Sequence, residues 1–313
     1  MAMATHDSGA RWKTFLSEAK EQEITLLLSG QTASPVIDVS FHELTGFDPE
    51  FAEDILISPR LIISSGHKTL SEICRDRGVD LDAMIRLSDL PKDTMRPLRE
   101  IGSRDIDKLR SLDVIVTKMS QLKPRIHLAV FQCETCGETQ QIDQTNESEL
   151  VEPIRCPPDT GCGASIRGTD STRFNLVMNI SRMINNQWLE IQELPENVPS
   201  GAQPSRAQVL LEGDLVNKHL PGQRITANVI PVVRSEIKKN KKTPMFDIIY
   251  HMVSSTHESV PFTEIKISDE ERTQIEDVAD TDNLLQLMGN SIAPSIFAND
   301  KLRLIKRSLA LQL

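Results

Sequence analysis

The sequence predicts an α+β, multidomain protein, and three observations carry that prediction. Up to about residue 88 the apolar residues recur at helical spacing. Beyond Pro91 and Pro97 the pattern changes to strand-like alternation, interrupted once by a window, positions 133 to 162, that holds four of the five cysteines. Around Asn240 two long strand-like runs flank a cluster of lysines. The expected order is a helical N-terminal subdomain (1–92) and an OB-type β-barrel (93–130 and 171–262). Into the barrel is inserted a four-cysteine zinc ribbon (131–170), and from it a long basic β-hairpin extends. C-terminal linker helices follow, one over 263–290 and the start of a further segment over 291–313.

Taken in order, residues 11–28 read as one amphipathic helix, with Trp12, Phe15, Leu16, Ala19, Ile24, Leu27 and Leu28 on its apolar side. Val36 to Val39 form a short strand. Phe41 to Leu44 lead to Gly46, and Asp48-Pro49 marks a helix start, with Asp48 as cap and Pro49 at the first helical position. Helical patterning continues over 50–57 and 68–77, the latter ending at Gly78. Residues 113–119 and 125–132 pair as strands through a turn at Lys123-Pro124. After the cysteine window the alternation resumes with Phe174, Leu176, Met178 and Ile180 on one face, then strands at 187–193, 207–212, 224–236 and 245–254. Short antiparallel strands interrupted once suggest a small barrel of the OB type. Ser268 and Glu271 make a capping box for a helix over 268–288, and a final amphipathic helix spans 299–313 without a stop signal.

Composition sets the class. The 313 residues allow two or three domains, and 39% hydrophobic with 26% charged residues fits a folded chain. No apolar run is long enough for a membrane span, and the first residues lack a signal core, so an intracellular protein is expected. The formal charge of −10 argues superficially against nucleic acid, yet the basic residues are segregated. Arg234, Lys238, Lys239, Lys241 and Lys242 stand between 231 and 245 against Glu236 alone. A projecting basic finger contacts phosphates without reading sequence; the plain alternative is a solvated turn. Lys118, Lys123, Arg125 and Arg182 are candidate supporting contacts. Aromatics are 4% of the chain, so a base-stacking platform is not expected and charge contact is the favoured mode.

Cys133-x2-Cys136 and Cys156-x5-Cys162 are nineteen residues apart, a spacing that closes a tetrahedral shell around Zn²⁺. No histidine lies in the window, so the shell is all-cysteine and structural. The second knuckle is one residue longer than usual. Two disulfides are the rival reading, which the absence of a signal peptide and the odd Cys74 count against. Acidic residues between the cysteine pairs suit the ribbon to protein contacts. No catalytic constellation is present: Ser64 to Thr69 resembles the end of a phosphate loop but lacks its upstream glycine. A protein-interaction scaffold without DNA binding is the second functional class, and a free-standing zinc enzyme a remote third.

Several ordered strings then point to a family: Phe47-Asp-Pro-Glu, the run from Trp188 to Glu196, Pro199 to Arg206, Gly213-Asp-Leu-Val before Pro221-Gly-Gln-Arg, and Ser291 to Phe297. With the order of helical unit, interrupted barrel, four-cysteine insert and lysine-tipped hairpin, the chain resembles the N-terminal region of minichromosome maintenance (MCM) replicative helicases, in a compact, archaeal-like layout. The resemblance implies a homo-oligomer, a hexamer or double hexamer, that encircles DNA independently of sequence, with hairpin tips 238–242 in the channel. It implies that the loop holding Gln203, Pro204 and Arg206 communicates with an ATPase ring, and that the zinc unit supports ring-to-ring contact. Other replication proteins are further expected partners, and no membrane is. The ATPase, and with it ATP, would belong beyond Leu313. This chain is then not itself an enzyme, although the full-length parent is an ATP-dependent DNA helicase. A cytoplasmic setting is implied, nucleoid-associated in an archaeon and nuclear in a eukaryote. The x5 knuckle departs from the family's commoner spacing at Cys162.

Overall fold

A computed structural model describes residues 2–32, 34–144, 149–166, 172–199, 202–238, 241–257, 269–281, 283–292 and 299–310. Two compact units are present, Met1–Glu258 and Ser259–Leu313.

The first unit begins with α1 (Ala2–Ala19) and α2 (Glu21–Leu28), where one helix over 11–28 was expected. The break falls at Lys20. Its side chain is only 6% exposed and its ammonium lies 2.8 Å from Glu23 and 2.9 Å from Glu43, so the backbone there leaves the helix to bury a paired charge. Then come β1 (Val36–Ser40), α3 (Phe41–Phe47), α4 (Pro49–Ile57), α5 (Pro59–Asp76) and β2 (Met84–Ser88). Ser40 and Glu43 form a capping box on α3, and the Asp48 carboxylate accepts from the Phe51 amide, with Pro49 opening α4. Strands β1 and β2 pair in parallel, a feature the helical reading of this region missed. Trp12 stands edge-on to Phe15 and Phe51 and donates its indole N–H to the Ile62 carbonyl at 2.8 Å. Gly66 permits this close approach of α1 to α5: a Cβ there would stand 2.9 Å from Trp12 and Ile85. The Ser64–Thr69 string is therefore mid-helix packing and not a phosphate loop.

The barrel comprises β3 (Arg110–Met119), β7 (Arg182–Glu193), β8 (Arg206–Glu212), β9 (Arg224–Lys238) and β10 (Lys241–His257). Order β3-β9-β10-β8-β7 is closed by pairing of β3 with β7, which makes the OB-type barrel predicted. The buried set recurs every second residue (Leu112, Val114 and Val116; Leu189 and Ile191; Val209 and Leu211; Ile225, Ala227 and Val229), as alternation demands. From β7 the sheet continues outward through β4 (Lys123–Cys133) and β5 (Thr139–Asp143), with β6 (Phe174–Leu176) also on β4. Lys123 and Pro124 lie inside β4, and the turn falls at 120–122 instead. The expected face from Phe174 to Ile180 ends at Leu176. A 3-10 turn, Met178–Ile180, swings the chain back into β7 and leaves Met178 and Ile180 49% and 55% exposed. Arg86 on β2 reaches into the barrel, where it pairs with Asp214 at 2.6 Å and donates to the Glu212 and Val253 carbonyls.

In the second unit the expected helix 268–288 is two, α6 (Asp269–Ala279) and α7 (Leu284–Ser291), and Ser268 lies outside the described residues. Helix α8 (Asp300–Ala310) follows, capped by the Asn299 side chain accepting from the Leu302 amide. It packs on α7, where Gly289 meets Arg307.

Candidate metal centre and nucleic-acid hairpin

The four clustered cysteines converge. Cys133 ends β4, Gly137 takes φ +77° in the first knuckle, and the Gly137 amide donates to the Cys133 carbonyl at 2.9 Å. The second knuckle closes although it is longer. Its ends are tied by Cys156 N–H to the Ala164 carbonyl and Gly161 N–H to the Pro157 carbonyl. Gly161 is required there, because a Cβ would overlap the Cys156 sulfur. The glycines flanking Cys162 were the signal that a five-residue gap could fold as a knuckle.

All four sulfurs lie within 4.8 Å of one another, with Cys133 3.7 Å from Cys162 and Cys136 3.6 Å from Cys156. A tetrahedron of Zn–S bonds of about 2.3 Å has edges of about 3.8 Å, so the donor set fits one such cation. The nearest sulfurs stand 3.6 Å apart, well beyond the S–S bond length of about 2.05 Å, so the geometry counts against the two-disulfide reading. Cys133 and Cys156 are buried while Cys136 and Cys162 are exposed. A hydrogen bond from the Thr172 hydroxyl brings Cys133 down to about 6, and burial pushes Cys156 up to about 12. Four adjacent thiolates repel one another unless a cation sits among them. Four protein ligands leave no open position, so a metal here cross-links and does not catalyse.

Thr172 is a residue the sequence reading overlooked. It is buried, its Oγ1 lies 3.2 Å from Cys133 Sγ, and it accepts from the Thr135 hydroxyl at 2.9 Å. Two hydroxyls in series thus end on one of the two buried sulfurs of the cluster. Hydroxyl relays of this kind leave no spacing pattern in a sequence.

The basic hairpin is formed by β9 and β10, paired antiparallel out to Lys238 opposite Lys241. Lys239 and the side chains of Lys238, Lys241 and Lys242 lie outside the described residues. Arg234 is exposed on β9, opposite Asp247. Among the barrel aromatics Phe131 and Tyr250 are buried and Phe174 and Trp188 half-buried, while Phe246 is 54% exposed, a single ring where no base-stacking platform was expected.

The supporting cations differ. Lys123 is exposed at the start of β4. Arg125 pairs with Glu212 and donates to the Gln144 carbonyl, while Arg182 spans Asp80 at 2.6 Å and Asp82. Lys118 pairs with Glu190 at 3.0 Å. Gln203 is exposed and Pro204 half-buried in the loop between β7 and β8, and Arg206 opens β8 with its Nε donating to Gln192 at 3.1 Å. The foot of that loop is anchored by Glu193, 1% exposed, which takes a two-pronged contact from Arg99 and a bond from the Ser205 amide.

The profile of the MCM OB domain, a non-catalytic domain, matches residues 97–234. A minichromosome maintenance protein MCM of Saccharolobus solfataricus is 29% identical over 290 residues, covering 88% of this chain and 40% of that protein. The DNA replication licensing factor mcm4-B of Xenopus laevis is 26% identical over 294 residues, covering 89% of this chain and 32% of its own length. The chain thus spans well under half of these curated relatives. The crystal structure of the N-terminal domain of an archaeal MCM superposes with a TM-score of 0.70 at 27% identity, covering 82% of this chain and 100% of that one. By sequence and by fold, the chain belongs to the minichromosome maintenance family and corresponds to its N-terminal region.

Proposed function

We propose that this chain is the DNA-binding, ring-forming N-terminal module of a hexameric replicative helicase, and that the β9–β10 hairpin carries the DNA contact. The observation behind this reading is the hairpin's charge: Arg234, Lys238, Lys239, Lys241 and Lys242 cluster on one ribbon of a chain whose formal charge is −10. Lysines on such a ribbon act as point charges toward phosphate and need no fixed geometry. Lys123 is a further contact. Arg125 and Arg182 are left out, because both guanidinium groups are held by carboxylates of the same chain.

Residues 1–92 act as a helical subdomain, 93–130 with 171–262 as the OB-fold, 131–170 as a zinc-holding insert, and 263–290 with 291–313 as the passage toward an ATPase domain. Zn²⁺ is the ion for Cys133, Cys136, Cys156 and Cys162. The insert's acidic surface serves contacts between rings, and the Gln203, Pro204 and Arg206 loop carries signals to the ATPase ring. The parent protein works at chromosomal DNA together with other replication proteins.

A DNA titration across salt tests the reading. Lys239→Glu with Lys241→Glu should weaken binding to all sequences alike and reduce the salt slope by about one for each phosphate no longer neutralised. Unchanged affinity and slope would sink the channel-finger role and favour the scaffold reading.

A further inference from the structure

We propose that Phe246 is a base-stacking contact that gives the hairpin a preference for single-stranded over duplex DNA; this rests on the DNA-binding reading above. Successive residues of one face of β10 climb out of the barrel. Tyr250 is 5% exposed, Ile248 packs partly buried against the barrel core, and Phe246 is 54% exposed. Across the ladder on that face stands Val233, paired with Ile248 and 41% exposed. An apolar stripe that begins in the core therefore ends in solvent on an aromatic ring.

The ladder is interrupted immediately beyond that ring. Pairing is regular from Phe246 opposite Ser235 inward to Met252 opposite Val229, but three residues, 243–245, face Glu236 alone before Lys242 pairs with Ile237. One of the three is Pro244, which has no N–H to give. Such bulges bend a strand and re-aim the adjoining side chains. Phe246 is consequently the last regularly paired residue below the lysine tip, held in the paired part of the strand.

Charge complementarity decides the occupant. Five basic residues lie within the twelve positions before Phe246, against Glu236, with Asp247 next in line. A second copy of this hairpin would bring like charge to like charge. A polyanion with an exposed flat apolar face fits both features, and an unpaired base supplies that face whatever its identity. In a duplex the faces are already stacked on one another, so the ring discriminates between strand states and not between sequences.

The test uses the whole chain with Phe246→Ala, Phe246→Leu and Phe246→Tyr, titrated against a single strand containing 2-aminopurine and against a duplex of the same sequence. The alanine and leucine variants should bind the single strand about tenfold more weakly, the size of one missing base–aromatic stack, and lose the fluorescence quenching. The tyrosine variant should keep both. Duplex affinity and salt slope should not move. If Phe246→Ala or Phe246→Leu matches the wild type on the single strand, the inference is overturned. It is equally overturned if Phe246→Ala changes only the oligomeric state. The lysine variants give an independent control. If they weaken DNA binding while Phe246→Ala does not, stacking alone fails. If they leave binding intact, the underlying DNA reading fails.

Discussion

Thr172 shows how one hydroxyl sets the character of the four-cysteine cluster. Cys133 is buried and has lost water as a partner, so the Thr172 Oγ1 at 3.2 Å supplies the hydrogen bond its sulfur needs. Thr135 donates to Thr172 in turn, so the Thr172 proton is shared between the Cys133 sulfur and the Arg173 carbonyl at 3.3 Å. Thr172→Val keeps the shape and removes the donor. It should weaken zinc retention about tenfold in competition with a chromogenic chelator, the usual cost of losing an outer-shell partner. Thr172→Ser should restore it; equal retention by the valine variant would count against the relay. His67 carries a second prediction. Burial, then the nearby Arg86, lowers its pKa to about 4 from the ordinary 6.5. Between those two values the unfolded chain binds the extra proton, so the stability this neutral imidazole contributes is full above 6.5 and is lost as pH falls toward 4. The slope approaches about 1.4 kcal/mol per pH unit. His67→Gln should flatten that part of the stability profile in urea unfolding, and an imidazole that titrates near 6.5 by NMR would contradict the assignment.

The elements are joined by a few buried charges that local patterns do not announce. Arg86 and Asp214 have side chains 8% and 4% exposed, and Arg86 lies 126 or more residues from its partners across the fold. Burial alone would raise the Asp214 carboxyl, but the Arg86 guanidinium and Lys218 outweigh it and hold it below the usual range. The pair therefore stabilises above the ordinary carboxylate pKa, and its contribution is lost as pH falls through the depressed value. Asp214→Asn leaves Arg86 buried and uncompensated and should cost about 3–5 kcal/mol in urea unfolding. A joint Arg86→Met, Asp214→Leu change should recover most of it; a mild single variant would mean that water reaches Arg86. These contacts also mark what sequence patterns conveyed and what they did not. The barrel strands were legible because burial on one face enforces a period of two, and α4 because Asp48-Pro49 caps it locally. The break at Lys20 was invisible, since it depends on Glu43 from another helix. Strand β2 was missed because its burial is set by β1, half a subdomain away in sequence. At the site, the cysteines announced themselves by spacing, whereas Thr172 and the exposure of Phe246 are products of tertiary placement.

At the scale of the molecule, charge and apolar burial are distributed unequally, and this predicts what metal removal will do. Both core clusters of the first unit are built without any residue from the segment between Cys133 and Thr172. Among its described residues that insert buries little: Cys133, Pro153, Cys156, Ala164 and the polar Gln144 and Thr172. Its described surface carries Glu134, Glu138, Asp143, Glu149, Glu152 and Asp159, whose mutual repulsion opposes compaction. With the Zn²⁺ proposed above, a segment with so little apolar burial would fold on the free energy of metal binding. Purified protein should therefore contain about one zinc per chain, as four thiolates close one shell. Chelation should collapse hydrogen-exchange protection across the insert while the amides of α1, α5, β3, β7 and β9 keep theirs. Strand β5 marks the boundary, because it pairs with Leu128 to Gln132 of β4 and so belongs to the barrel's sheet as well as to the insert. Its partial loss on chelation, with β4 intact, is the expected pattern. Full protection of the insert without metal would show that its fold stands on hydrogen bonds alone, and protection lost throughout the barrel would show that the metal holds far more than the ribbon.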